Sequence, residues 1–139
     1  MNNFKKKVNP FLALLLMIAA TFIIFAGNQE VKVEIKDSDI NIIGGYGEVT
    51  IPFKDLLRID TISVLPAIEL KTNGYSFGDT KSGDFRLADG TDVKLFIKTG
   101  FPPYILLKSK NAEPVYINFE DRQKTIKLYR EISGKTKRE

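Results

Sequence analysis

The chain has 139 residues, which leaves room for one compact domain and a short accessory segment. Its formal net charge is +4, from 21 basic and 17 acidic residues, but setting aside Lys5, Lys6 and Lys7 leaves 18 basic against the same 17 acidic residues. So small a surplus removes most of the case for nucleic acid, which requires basic residues clustered on one face, and nucleic acid is not expected as a partner. The absence of cysteine excludes disulfides, a thiolate nucleophile and a cysteine-bound metal.

The segment from Phe11 to Ala26 carries no charge and one hydroxyl, that of Thr21. Pro10 suits the first turn of a helix, where its missing N–H costs nothing. These sixteen residues predict a helix of about 24 Å, and Val8 and Gly27 lengthen it towards the ~30 Å hydrocarbon core of a membrane. Because the helix is apolar on every side, a membrane span is favoured over a core helix.

Residues 8–27 are therefore interpreted as a transmembrane anchor, with a cleaved signal peptide as the alternative. Signal peptides have small residues at the first and third positions before the cut. A cut after Ala26 places Ile24 at the third position, and a cut after Ala20 places Ile18 there. In both cases the basic residues 1–7 stay in the cytoplasm and the rest is exported. The expected location is a cell membrane, crossed once, with the C-terminal domain extracytoplasmic.

After this segment the hydrophobic pattern changes to period two, which is typical of half-buried strands. Glycines in Gly44–Gly47 predict a tight turn, and residues 37–39 another. Residues 72–83 have the composition of a loop, with three glycines and mixed charge. Strands are predicted at 31–35, 40–43, 49–51, 59–65 and 68–71, with one helical turn at 53–57.

Two hairpins follow. Residues 85–87 and 92–98 flank an Asp-Gly turn at 88–91, and Asp-Gly between such segments is a strong hairpin signal. The second hairpin joins 104–109 to 115–119 around residues 110–113, after a rigid connector at 101–103.

The last element has a helical period. Asp121 is a suitable N-cap, and Gly134 is a natural C-terminal stop, which leaves 135–139 as a polar tail. The apolar side chains expected to face the domain repeat every three residues: Ile126, Tyr129 and Ile132, with Leu128 beside them. Residues 28–134 thus form a mainly β domain, with six to eight strands followed by one amphipathic helix. This order suits an antiparallel sheet that curls into an open barrel with the helix at one end.

Several motifs together resemble the bacterial pleckstrin-homology-like (PH-like) domains. The motifs are Leu65-Pro66, 72–79 (TNGYSFGD), 82–85 (SGDF), Asp89-Gly90 followed by 93–96 (VKLF), 103–107 (PYILL) and 117–119 (INF), with Thr125 and Leu128-Tyr129 in the final helix. The likeness covers about Val31 to Ile132. It implies an open β-barrel of about seven antiparallel strands closed by the C-terminal helix, and many family members carry membrane helices beside this domain. It brings no catalytic residues.

The residue inventory argues against catalysis. Histidine, the commonest general base and zinc ligand, is absent, as is cysteine. Adjacent Ser and Lys pairs, such as Lys81-Ser82, arise by chance in a lysine-rich chain. Asp37, Asp39, Asn41 and Glu48 have the spacing of calcium-loop ligands, but Ile42 stands where that loop requires glycine, and a polar turn followed by a strand is favoured. Asp89 and Asp92 are explained by turn chemistry.

One surface is left as a candidate for recognition. Long glycine-bearing loops often carry function, and the stretch from 71 to 86 combines cationic and aromatic side chains. The candidate residues are Lys71, Tyr75, Phe77, Lys81 and Arg86. The alternative, which is favoured over a recognition surface, is that the aromatic side chains tuck into the barrel mouth and the charges are solvated.

The expected function is that of a membrane-anchored, extracytoplasmic binding or scaffolding module without catalytic activity. The expected partners are the membrane itself and a protein or lipid that the sequence does not identify. No catalytic residue, metal or cofactor is expected. The alternatives are an accessory or sensing subunit of a cell-envelope complex and, from another class, an exported enzyme.

Overall fold

The computed structural model describes residues 9–137. The predictions for the basic residues 1–7 and for the last two residues of the polar tail lie outside this range. The elements are α1 (Pro10–Gly27), β1 (Lys32–Ile35), β2 (Asp39–Ile43), β3 (Glu48–Pro52), a 3₁₀ turn (Phe53–Asp55), β4 (Leu56–Ile62), β5 (Ile68–Phe77), β6 (Thr80–Leu87), β7 (Asp92–Lys98), β8 (Tyr104–Ser109), β9 (Val115–Ile117) and α2 (Arg122–Thr136).

The predicted apolar helix is confirmed as α1. The Asn9 side chain caps its first turn by accepting a hydrogen bond from the N–H of Phe11, and Pro10 occupies the first turn. The hydroxyl of Thr21 donates to the carbonyl of Met17 at 2.8 Å, so the one polar side chain of the helix is satisfied by its own backbone. α1 is long and apolar enough to cross a membrane. A signal sequence can have the same length and composition.

The domain is mainly β, as predicted, but its strands form two sheets. In the three-stranded sheet β2 lies between β1 and β3, and the six-stranded sheet has the order β4–β8–β9–β7–β6–β5. All neighbours are antiparallel except β7 and β9, which run parallel. Nine strands therefore replace the expected seven or so. No strand pairing within residues 9–137 joins the two sheets into a closed barrel.

The six-stranded sheet has a hydrophobic core on each face. Ile105 and Leu107 point to one core, whereas Leu106 between them points to the other, because successive strand side chains alternate in direction. The three-stranded sheet and α2 cover the first face, where Ile42 and Ile132 are fully buried. The second core is completed by residues near the β4–β5 connection, including Leu65.

The largest correction concerns residues 72–83, which form a hairpin and not a loop. β5 continues to Phe77, six residues beyond the predicted strand end at Lys71, and β6 begins at Thr80. Gly74 and Gly83 face each other across this hairpin with φ values of +128° and +121°. A Cβ on Gly74 would lie 2.3 Å from the carbonyl oxygen of Ser82, so these glycines permit close backbone approach inside strands.

The C-terminal helix is confirmed, with two corrections. The Asp121 carboxylate caps it, as predicted, by accepting from the N–H of Gln123 at 2.8 Å. Gly134, however, keeps a helical conformation, and α2 continues through Lys135 to Thr136. Of the three apolar residues predicted to face the domain, Ile132 is buried, whereas Ile126 and Tyr129 are only half-buried. Leu128, predicted beside them, is buried instead. Buried Thr125 completes the packed side of the helix.

Candidate functional site

The five candidate recognition residues all lie on the β5–β6 hairpin, but on opposite faces of it. Tyr75 and Phe77 stand opposite Ser82 and Thr80, on the face that also carries Arg86. Lys71 stands opposite Phe85, and Lys81 opposite Ser76, on the other face. The structure therefore does not bring the five side chains together into one surface.

Two charged side chains of the hairpin make contacts within the six-stranded sheet. The Arg86 guanidinium hydrogen-bonds both carboxylate oxygens of Asp92, at 2.8 and 3.3 Å, and this bonding lowers the pKa of Asp92. The Lys81 ammonium donates to the Ser76 hydroxyl at 2.8 Å. Lys71 is exposed. Arg86 and Lys81 are thus accounted for by cross-strand contacts, which are typical of sheet surfaces.

Tyr75 has a different environment, because it packs against the end of α1. Only 7% of the residue is exposed. Its ring stacks on that of Tyr46, with centroids 5.6 Å apart and planes 4° from parallel. A Cβ on Gly27 would lie 2.3 Å from the Tyr75 ring, and the phenol donates a long hydrogen bond of 3.5 Å to the carbonyl of Ile24. Glycine at position 27 therefore lets the tyrosine ring lie directly on the helix backbone.

The glycine-rich turn at residues 44–47 forms the other side of this contact. A Cβ on Gly45 would lie 2.5 Å from the carbonyl oxygen of Ala26, so the turn lies directly against the last turn of α1. The Ser82 hydroxyl fixes it by accepting from the N–H of Tyr46 at 3.1 Å and donating to its carbonyl at 3.2 Å. The sequence predicted this turn but not its contact with the helix.

A polar network closes the contact. The Asn28 side-chain oxygen accepts from the Thr80 hydroxyl at 2.8 Å and from the Lys98 ammonium at 3.0 Å. Lys98 also donates to the Thr80 hydroxyl at 2.7 Å, and its ammonium lies 3.9 Å from the Asp79 carboxylate. The side chain of Lys98 is only 18% exposed. These contacts hold Asn28, which follows α1, against the start of β6 and the end of β7.

We call this set the helix junction: Gly27, Asn28, Tyr46, Tyr75, Thr80 and Lys98. It joins four chain segments that are far apart in sequence. Tyr75 is its one member among the predicted site residues. The other five were missed, because hydrophobic periodicity does not reveal which distant polar residues meet. The glycines around Tyr46 were the available signal, since such a cluster permits close backbone approach.

The patterns weighed as catalytic or metal sites are explained by local structure. Asn41 and Glu48 lie on paired strands and hydrogen-bond each other at 2.9 Å, while Asp37 pairs with Lys135. Asp89 accepts from the N–H of Thr91, as expected for a turn. Within residues 9–137 no group of three acidic side chains is placed to hold a metal ion.

Lys81 and Ser82 do not form a catalytic pair either. They are successive strand residues, so their side chains point to opposite faces of β6. The Ser82 hydroxyl is bonded to Tyr46, and the Lys81 ammonium to Ser76.

A shallow groove of about 430 Å³ lies between β1, the outer strand of its sheet, and α2. At its edge the Lys124 ammonium pairs with Glu30 at 2.6 Å and lies 4.2 Å from the centre of the Phe119 ring. Lys32, Lys127 and Glu131 also line the groove, which therefore carries charges of both signs.

No family model matches the chain, and neither the curated proteins nor the solved structures with which it was compared provide a match.

Proposed function

We propose that this chain is a single-pass membrane protein whose β domain has a PH-like fold, lies outside the cytoplasm and acts as a non-catalytic binding or scaffolding module. The observation that carries the proposal is the helix junction. The domain packs its own aromatic and polar side chains against the end of an apolar helix that is otherwise exposed.

The junction favours a retained anchor over a cleaved signal peptide. A cut after Ala26 would remove the Ile24 carbonyl, to which the Tyr75 phenol donates, and the Ala26 carbonyl, against which Gly45 lies. It would also leave a charged amino group on Gly27, directly beneath the Tyr75 ring. A domain that folds around the last turn of its helix is expected to keep that helix.

The orientation rests on charge. Lys5, Lys6 and Lys7 precede α1, and the first acidic residue is Glu30. Basic residues beside a membrane span favour the cytoplasmic side, so the domain that follows α1 is placed outside. The PH-like assignment rests on the motifs between residues 65 and 129 and on the strand-rich domain that ends in one helix.

A second candidate function, an accessory or sensing subunit of an envelope complex, is favoured by the shortness of the connection. Four residues, 28–31, separate α1 from β1. Within them Asn28 is bonded to Thr80 and Lys98, and Glu30 to Lys124. A flexible tether does not require its residues to be bonded to the domain. A subunit that transmits motion between its domain and the membrane requires such a fixed connection.

Retention of α1 and the side of the membrane on which the domain lies can be tested with single cysteines, because the sequence contains no cysteine. Ala112→Cys lies in the exposed turn between β8 and β9, and Asn3→Cys lies before α1. In sealed right-side-out membranes, an impermeant maleimide is expected to label position 112 directly and position 3 only after permeabilisation. The mass of the protein after an alkaline wash should include residues 10–27. Labelling with the reverse pattern, or a mass that begins after α1, would contradict the proposal.

Co-purification in mild detergent separates the two candidate functions. The test variant replaces residues 10–23 with leucines and keeps Ile24 to Gly27, so that the junction is preserved. A binding module is expected to retain its partner in this variant. A subunit that assembles through its helix is expected to lose it, while a folded domain and membrane association remain in both cases.

A further inference from the structure

An exposed aromatic side chain stands beside the end of the apolar helix. Phe77 is 59% exposed, and its ring centroid lies 6.4 Å from that of Tyr75, which packs on Gly27. Directly across the hairpin from Phe77 is Thr80, whose hydroxyl donates to Asn28. The tip of the β5–β6 hairpin is therefore level with the last turn of α1.

The helix itself is short and lacks an interfacial anchor at this end. Its 18 residues extend about 27 Å, against the ~30 Å hydrocarbon core. Transmembrane helices are commonly fixed at the interface by Trp, Tyr, Lys or Arg, and residues 10–31 contain none of these. A helix that is slightly too short draws the residues beside its end into the interface.

We propose that the hairpin tip is a second membrane contact, in which Phe77 enters the boundary between lipid headgroups and acyl chains with Tyr75 and Tyr46 behind it. This inference rests on the proposed function, because it requires α1 to span the bilayer. The domain then supplies the aromatic anchor that the helix lacks, and fixes its own tilt over the membrane.

The charges at the tip indicate which lipid property is recognised. Asp79 in the turn lies 3.9 Å from the Lys98 ammonium, so these two charges offset each other. The third charge near the tip, the Lys81 ammonium, lies on the face opposite Phe77 and is bonded to the Ser76 hydroxyl. The contact is therefore apolar, and it does not depend on anionic headgroups, unlike the basic surfaces that bind acidic lipids.

Single tryptophans test this, because the sequence contains none. The full chain carrying Phe77→Trp is reconstituted into phosphatidylcholine vesicles, with and without lipids brominated in the acyl chain near the headgroup. The control is Val64→Trp, at a residue that is 81% exposed and lies by the other end of β5. A third variant, Phe22→Trp, places the reporter on the exposed surface of α1.

We expect the Phe77→Trp variant to emit at a shorter wavelength than the Val64→Trp control and to be quenched by the brominated lipid, whereas the control is not quenched. Adding phosphatidylglycerol should leave the quenching at position 77 unchanged, and dependence on this anionic lipid would contradict an apolar contact. Quenching at position 22 without quenching at position 77 would overturn the inference and leave the proposed anchor standing, as expected if the tip binds a protein instead. Absence of quenching at both positions would overturn the inference together with the anchor.

Discussion

Tyr75 shows at the scale of one residue how composition misleads when contacts are distant. An aromatic side chain between Gly74 and Ser76, in a segment rich in glycine and charge, has the features of an exposed recognition residue. The structure buries it against Gly27 and Tyr46 instead. Its neighbour Phe77, two residues away on the same face, remains exposed. The sequence singled out this segment as a loop, and it did not distinguish the buried Tyr75 side chain from the exposed Phe77 side chain.

Replacing Tyr75 with alanine is therefore expected to destabilise the domain. The change removes a buried ring and its stacking on Tyr46, and we expect the free energy of unfolding to fall by about 3 kcal/mol, as for other large-to-small core substitutions. Val64→Ala is the control, and its effect should stay within about 0.5 kcal/mol because the side chain is exposed and lies by the far end of β5. Denaturant unfolding of the full chain in detergent micelles measures both. Equal, small effects would show that Tyr75 is not part of the packed structure.

At the scale of elements, the sequence predicts well wherever one periodicity persists. Alternation gave β1, Asp-Gly placed the turn before β7, and Asp121 placed the start of α2. The other alternating segment, 59–65, overlaps β4 but was placed three residues too late, since β4 is Leu56–Ile62. The β5–β6 hairpin was missed because glycine normally interrupts strands, whereas Gly74 and Gly83 pair across this one. A usable signal was present in Gly78-Asp79, a two-residue turn with glycine at its first position.

Two glycines in open surroundings provide a prediction about these elements. A Cβ on Gly134 or on Gly78 would meet nothing within 4 Å, so packing does not distinguish them. Gly134 is helical, and Gly134→Ala should stabilise the domain by about 0.5 kcal/mol, because alanine loses less backbone entropy on folding. Gly78 has a φ of +56°, and Gly78→Ala should destabilise it by about 1 kcal/mol through strain in the left-handed region.

The measurement is the denaturant midpoint of each variant at constant m-value. Opposite signs for the two substitutions are expected. A destabilising Gly134→Ala would mean that α2 ends at this glycine, as the sequence alone suggested.

At the scale of the whole molecule, the apolar helix and the β domain form one packed unit. The sequence correctly divided the chain into a helix followed by a strand-rich domain, but it gave no reason to expect contact between them. The junction depends on Asn28, Thr80 and Lys98, which are separated by 52 and 18 residues. Such pairings are set by the strand order and register of the whole sheet, which no local pattern contains.

If the junction is rigid, the segment 28–31 should resist proteolysis in the intact chain. Cleavage there requires local opening, and its rate follows the population of the open form when opening is fast. Asn28→Ala removes the acceptor of two hydrogen bonds, which contribute about 1 kcal/mol each, so release of the domain by a nonspecific protease should become about tenfold faster or more.

The neighbouring substitution Gln29→Ala is the control for this experiment, because Gln29 is exposed and the change should not affect the rate. Gly27→Leu should accelerate release by a different route, since its side chain would collide with the Tyr75 ring. Measured on the full chain in detergent micelles, rapid release of the unsubstituted domain, at the rate of the Asn28→Ala variant, would show that residues 28–31 are a flexible tether. Slow release of the unsubstituted domain and of Gln29→Ala, together with fast release of the other two variants, is the pattern expected of a domain fixed to its N-terminal helix.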